Sequence, residues 1–329
     1  MAQHYDVVVV GGGQAGLAAG RQLALDGREL VVLDAAARVG DAWRQRWRSL
    51  RLFTPAAVDA LPGMTFPAPR NHRPTKDEMA DYLEAYAQAF ALPVLSGCAV
   101  DKMTRADTGF ALTVDGERFT ADHVVVATGP LRAPRVPAFA AGLDPGVHQL
   151  HSADYVEPAQ LPAGPVLVVG AGNSGGDIAM DLAPYHPVWL AGRATGRVPG
   201  WLDASCYQVL PHVRTDRGVG RAVARRLAGR GTPLVGIGRA DLVRAGIRRV
   251  PRVTGVRAGR PLLADGRELA VRTVVWCTGY RPGLGWLDLP GEVPGLHFVG
   301  MQFQNTLASG IIGGAGTDAA TVVAAMRRD

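Results

Sequence analysis

Four consecutive valines, Val7-Val8-Val9-Val10, run directly into Gly11-Gly12-Gly13-Gln14-Ala15-Gly16. A β-branched run without polar alternation reads as a strand buried on both faces, which places it inside a parallel sheet. Gly11, Gly13 and Gly16 have the G-x-G-x-x-G spacing that carries such a strand into a helix. Gly11 permits the tight turn, Gly13 lets a pyrophosphate approach the backbone, and Gly16 lets helix and strand pack closely. Gln14 and Ala15 open the helix, whose free N–H groups and partial positive charge face phosphates. Glu29-Leu30-Val31-Val32-Leu33-Asp34 then reads as a second strand, ending on an acid eighteen residues after Gly16. A carboxylate at that point accepts hydrogen bonds from a ribose hydroxyl pair. Strand, glycine loop, helix and terminal acid together predict a dinucleotide site.

The same grammar returns later. Val166-Leu167-Val168-Val169 leads into Gly170-Ala171-Gly172-Asn173-Ser174-Gly175, a second strand, glycine loop and helix start. Its own second strand, Val188-Trp189-Leu190, ends at Ala191-Gly192-Arg193 in place of an acid. An arginine there suits a 2′-phosphate, so this site is expected to prefer NADPH over NADH. One acid-terminated and one arginine-terminated fingerprint point to FAD first and NADPH second, arranged so that nicotinamide passes hydride to flavin. Two further buried strands run into glycine turns, at Val124-Val125-Val126-Ala127-Thr128-Gly129 and Val274-Val275-Trp276-Cys277-Thr278-Gly279. Thr128, Gly129, Thr278 and Gly279 join the expected cofactor contacts. So does Asp318, carried by a glycine-rich helix start after the strand Leu296–Gly300.

The expected fold class is therefore α/β, with two Rossmann-like dinucleotide-binding domains. A chain of 329 residues is long enough for two cores. The FAD domain is discontinuous, formed by residues 1–155 and 288–329. The NADPH domain, residues 160–285, is inserted between them, with hinges near Gly129–Pro134 and Thr278–Pro282. Within the first domain, residues from about 40 to 75 follow neither helical nor strand periodicity. Their tryptophan, phenylalanine and leucine content argues against disorder. This stretch is expected to form an ordered cover over the flavin. Gly40 and Trp43 fall among the cofactor contacts, and Trp47, Phe53 and Thr54 are the candidates beside the reacting ring. Thr75-Lys76-Asp77-Glu78 is a capping box opening a helix that runs through Phe90. Residues 94–126 alternate like antiparallel strands, with Asp115-Gly116 as a hairpin turn.

Composition excludes several classes. The net charge of +6 comes almost wholly from dispersed arginine, since Lys76 and Lys102 are the only lysines. No aromatic-interleaved or recognition-helix pattern accompanies it, so nucleic acid is not the expected partner. Steering an anionic cofactor is a sufficient use for the excess. Cys98, Cys206 and Cys277 are far apart in sequence and form neither a C-x-x-C pair nor a metal-ligand spacing. No metal is expected, and no cysteine relay of the disulfide-reductase kind. No apolar run reaches the roughly 18–20 residues of a membrane span. The first dinucleotide strand starts at residue 6 or 7, where a cleavable signal peptide would destroy it, so a cytoplasmic protein is expected.

These residues carry a resemblance to the flavin-containing monooxygenase superfamily, to its short bacterial members and the YUCCA-type plant enzymes above all. It extends over essentially the whole chain. It rests on Gly11–Gly16, on Trp47–Pro55 with Leu61–Pro67, and on Pro74-Thr75-Lys76 leading into Tyr82-Leu83-Glu84-Ala85-Tyr86. It continues through Ala127-Thr128-Gly129, Gly146 to Tyr155, Gly170–Gly176 and Thr278-Gly279-Tyr280. The resemblance implies FAD reduction by NADPH, reaction with O2, and a C4a-(hydro)peroxyflavin that oxygenates a small organic molecule while NADP⁺ stays bound. Three departures are visible. The family's F-x-G-x-x-x-H has Asp144 at the Phe position and one extra residue before His151. The asparagine that many members place near the flavin is replaced by the region Phe53-Thr54-Pro55, as in the short relatives. The helical insertion of Baeyer–Villiger members is missing. The partners implied are a small-molecule substrate and O2, without nucleic acid or membrane, and with self-association open. Two alternatives stay beside the monooxygenase: an NADPH-dependent flavin reductase or oxidase without oxygen transfer, and a non-catalytic FAD/NADPH redox-sensing module.

Overall fold

The computed structural model of the protein describes residues 3–193, 197–198, 207–227, 234–289 and 293–327; Cys206 lies outside them. The valine run sits at the centre of the first sheet. Gln3–Val10 pairs in parallel with Leu30–Asp34 on one side and with Glu117–Val126 on the other. Burial on both faces follows: Val7, Val9 and Val125 enter one apolar cluster, and Val8, Val10 and Val126 another. The sheet extends past Leu30–Asp34 to Val94–Ser96.

Glu117–Val126 divides its length between two neighbours. Its second half pairs in parallel with Leu296–Phe298, and its first half pairs antiparallel with Phe110–Val114, which in turn pairs with Val100–Arg105. Phe110, Leu112 and Val114 alternate inward, as one-sided burial demands. Asp115 and Gly116 both take left-handed backbone, at φ 48° and 83°, the pair that a two-residue hairpin requires. The C-terminal helix Ala315–Met326 packs on the first helix, Gln14–Leu25, with Arg327 paired to Asp26.

The second sheet is all parallel, in the order Arg248–Val250, Val188–Ala191, Val166–Val169, Thr273–Trp276, His148–His151. Here the chain departs from the expected boundary. His148–His151, counted above with the first unit, is an edge strand of the second sheet, and Ala140 and Leu143 belong to that sheet's core. The second sheet therefore draws on residues before 160. An edge strand has one paired flank, and only Leu150 and His151 of this one are buried. It shows no apolar run in the sequence for that reason. The two chain crossings between the sheets lie side by side, Ala133–Pro134 pairing antiparallel with Tyr280–Arg281.

The segment from 40 to 75 folds back on itself. Leu52 N–H donates to Pro74 O at 2.7 Å and Ala56 N–H to His72 O at 2.8 Å. It is held down by Lys76–Ala89, the helix that the Thr75–Glu78 capping box opens. Tyr82 accepts from Leu61 N–H at 2.7 Å and donates to Met64 O at 2.8 Å, and Tyr86 donates to Pro62 O at 2.9 Å. The Glu78 carboxyl is pulled down to about 2, first by the Thr75 backbone N–H and then by His72. Trp47, Leu50, Leu52, Leu61 and Phe66 are all buried. Among the described residues no helix is long and apolar enough to cross a membrane.

Candidate functional site

The first glycine loop separates its glycines by what surrounds them. Gly11, at φ 112°, donates its N–H to Leu33 O at 2.7 Å, and a Cβ on it would stand 2.7 Å from Ala127 O. A Cβ on Gly16 would fall 1.8 Å from Gly11 O. Both positions need glycine for packing. A Cβ on Gly13 would meet nothing within 4 Å, so this glycine faces open space at the start of the helix. Such a cradle admits a ligand's backbone contact that a side chain would block.

Polar groups gather around that cradle. Asp34 lies against Gly12, where a Cβ would be 2.6 Å from its Oδ2. Burial raises its carboxyl, against the backbone N–H groups of Ala36 and Gly12. Thr128 Oγ1 is buried without a hydrogen-bond partner. Asp318 is fully buried in the first turn of the C-terminal helix. Its Oδ1 accepts from Asn305 Nδ2 at 3.1 Å and Ser309 Oγ at 2.8 Å, while Oδ2 has no partner. Burial pushes this carboxyl up, with the Gly300 N–H among the groups opposing it. Gly300 is adjacent to the fingerprint, since a Cβ there would touch Ala15 Cβ at 2.7 Å. An open cradle with orphaned buried oxygens on its rim fits a dinucleotide. In folded proteins most buried polar atoms have a hydrogen-bond partner.

The second loop repeats the division. A Cβ on Gly170, at φ 114°, would stand 2.1 Å from Cys277 O, and one on Gly175 would stand 1.7 Å from Gly170 O. A Cβ on Gly172 would meet nothing within 4 Å. Asn173 Oδ1 accepts from Val235 N–H at 3.0 Å, tying the helix start to Leu234–Val235. Ser174 follows, half-buried, in the first turn. Gly192 takes φ 150°, and a Cβ on it would lie 2.9 Å from Ala171 N. Arg193 comes next and is exposed.

Where the cover meets the second unit lies a cavity of about 430 Å³, lined from the cover by Trp47, Leu52 and Phe53 and from the helix Asn173–Leu182 by Asn173, Asp177 and Met180. Phe53 is half-buried, its ring 6.1 Å from that of Tyr207. Trp47 is only 4% exposed and belongs mainly to the core. Burial pushes the Asp177 carboxyl up to about 7, with Arg73 opposing.

Other singled-out residues have structural partners. Thr54 is buried and donates to Asp59 Oδ1 at 2.6 Å. A Cβ on Gly40 would stand 2.6 Å from Ala80 O, so that glycine admits the helix Lys76–Ala89. Trp43 packs, partly buried, on the core. Gly129, at φ 70°, faces open space. Thr278 Oγ1 donates to Arg135 O, and Gly279 O accepts from Arg135 N–H at 3.0 Å, so both serve the chain crossing. His151 is buried there, hydrogen-bonded from Nε2 to Gly279 O at 3.1 Å and accepting at Nδ1 from Ala153 N–H. Cys98 and Cys277 are free thiols, and burial drives Cys277 up to about 12. Among the described residues no cluster could hold a metal ion.

Asp59 escaped the sequence reading. It is fully buried with Oδ2 unpartnered, and burial pushes its carboxyl up to about 7. Its one signal is an acid isolated among apolar residues, Val58-Asp59-Ala60-Leu61.

Comparison with known proteins bears on this arrangement. The family model of pyridine nucleotide-disulphide oxidoreductases matches residues 8–205. An oxidoreductase described as CzcO-like from Geobacillus kaustophilus is 34% identical, with 95% of this chain and 96% of that protein covered. The indole-3-pyruvate monooxygenase YUCCA1 of Oryza sativa is 29% identical over 87% of this chain and 79% of its own. A flavin-containing monooxygenase from Stenotrophomonas maltophilia, 28% identical, superposes with a TM-score of 0.81 over 99% of both chains. The chain belongs to the pyridine nucleotide-disulphide oxidoreductase family, and these likenesses support its kinship with the flavin-containing monooxygenase superfamily. It is a flavin-dependent oxidoreductase, built on two α/β units with parallel sheets.

Proposed function

We propose that the chain is an NADPH- and FAD-dependent monooxygenase that transfers oxygen from O2 to a small organic substrate. One observation carries the two-cofactor part of this reading, and the likeness to YUCCA1 and to the Stenotrophomonas maltophilia enzyme supports the oxygen transfer. Two open glycine cradles, at Gly13 and Gly172, lie on separate sheets, and the cavity between the units is lined from both. A flavoprotein that only stored FAD would need one such cradle.

In this reading the first unit holds FAD through Gly11, Gly13, Gln14, Ala15 and Gly16, with Asp34 accepting from the ribose. Thr128 Oγ1 and Asp318 Oδ2, buried and unpartnered, are completed by the ligand's own hydrogen-bonding groups. The second unit holds NADPH through Gly170, Gly172, Asn173, Ser174 and Gly175, with Arg193 at the 2′-phosphate. When bound, the flavin accepts hydride and activates oxygen, chemistry that no side chain supplies. The chain binds, orients and shields. Phe53 and Trp47 both line the cavity, and the half-buried Phe53 ring serves as the wall that keeps water out. The reading places the protein in the cytoplasm, acting on a small molecule.

The test uses the purified protein with NADPH under air, offered small thioethers and ketones. The expected result is rapid flavin bleaching, with hydrogen peroxide falling below NADPH consumed once an accepted substrate is present. Bleaching with one peroxide per NADPH in every mixture would favour a simple oxidase.

A further inference from the structure

The strand Arg248–Val250 pairs in parallel with Val188–Ala191, so that Arg249 lies opposite Leu190. This register brings Arg249 to the end of the strand that delivers Arg193. Its Nη2 donates to Gly192 O at 3.0 Å. Gly192 in turn backs onto the phosphate-binding loop, since a Cβ on it would lie 2.9 Å from Ala171 N. One glycine therefore connects the loop, Arg193 and the Arg249 guanidinium.

Arg249 is otherwise unspent. Among the described residues it makes this single hydrogen bond and has no carboxylate within ion-pair distance. A guanidinium carries five N–H donors in a rigid fork, so most of its capacity is open. Nearby Arg244, by contrast, is paired with Asp241. Burial lowers the Arg249 pKa, as partial shielding without a counter-ion should. The residue nevertheless remains accessible to an incoming anion.

We infer that Arg249 is a second cation for the adenosine 2′-phosphate, closing on it from the neighbouring strand opposite Arg193. The inference rests on the reading of the second unit as the NADPH site. A phosphate monoester carries nearly two negative charges, which one exposed arginine neutralises poorly. One fork on a strand and a second just past the end of its neighbour add charge and fix orientation together.

Calorimetry on the flavin-loaded protein tests this with adenosine 2′,5′-bisphosphate and 5′-AMP. The wild type is expected to bind the bisphosphate at least about tenfold more tightly. Arg249→Ala should cut that advantage about tenfold while leaving 5′-AMP within about twofold. Arg249→Gln retains an N–H for Gly192 O but no charge, and should lose the advantage equally. The inference is overturned if both variants keep the full advantage. It is also overturned if both lose 5′-AMP in the same proportion, because Arg249 would then only brace Gly192. A wild type without any preference for the bisphosphate overturns the NADPH reading itself, before a variant is made.

Discussion

Asp59 is the residue whose behaviour the sequence hides most completely. Nothing in Val58-Asp59-Ala60 says that the acid is fully buried, because its burial is set by the fold of the whole cover and not by its neighbours in sequence. Its carboxyl titrates near 7 in the folded protein against an ordinary value of 3.8, raised by burial and only partly offset by Thr54. The fold thus holds more protons than the unfolded chain between these two values. Stability contributed at this site falls as pH rises from about 4 to 7 and is flat above. Asp59→Asn cannot ionise and still accepts from Thr54. It should gain on the wild type by about 2–4 kcal/mol more at pH 8 than at pH 4. Chemical denaturation at the two pH values measures the difference, and an equal effect at both would place the carboxyl in a wetter setting. Arg193 is the opposite case, legible because its place at the end of a strand is a matter of spacing. Arg193→Ala is expected to raise KM for NADPH about tenfold and leave NADH nearly unchanged, the loss of one charge-assisted contact. Equal losses for both nucleotides would assign it a structural role.

Elements whose role is set by local pattern could be read directly. The valine run, the Asp115-Gly116 hairpin and the Thr75–Glu78 cap all depend on neighbours within a few residues. His148–His151 could not be read, because it is a strand only by virtue of Thr273–Trp276, far along the chain. The first glycine loop lies between these cases. Its spacing suggests which glycines pack and which faces outward, and the structure adds the distances that set them apart. Gly16→Ala places a Cβ 1.8 Å from Gly11 O, so the strand and helix must separate. It should yield little folded protein. Gly13→Val adds its side chain to open space in the apoprotein. The expected outcome is a folded, nearly colourless protein, with circular dichroism close to wild type and FAD content sharply reduced. Stoichiometric FAD in Gly13→Val would remove the loop from the flavin site.

At the scale of the whole molecule, two sheets meet across a segment that has almost no regular structure of its own. Leu161, Tyr155 and the helix Asn173–Leu182 share one apolar cluster with Trp47, Leu52 and the first helix, so the units are packed together through the cover. Tyr155 donates to Asp181 Oδ2 at 2.6 Å, and Arg48 pairs with Glu157 beside it. The cover is therefore both core and wall, and Trp47 and Phe53 divide these tasks. Trp47, nearly inaccessible, should behave as core: Trp47→Ala is expected to cost about 3–5 kcal/mol of stability, like other large-to-small changes at buried aromatics. Phe53 is half-buried on the cavity, so Phe53→Ala should leave the fold and the rate of flavin reduction near wild type. On the monooxygenase reading proposed above, what it opens is a path for water to the place where oxygen reacts. Water there protonates and releases reduced oxygen as hydrogen peroxide before transfer, so peroxide per NADPH should rise. Stopped-flow reduction and a peroxide assay on Phe53→Ala separate the two roles. Slower reduction with an unchanged peroxide yield would make Phe53 a packing residue like Trp47, and the water barrier would have to lie elsewhere in the cover.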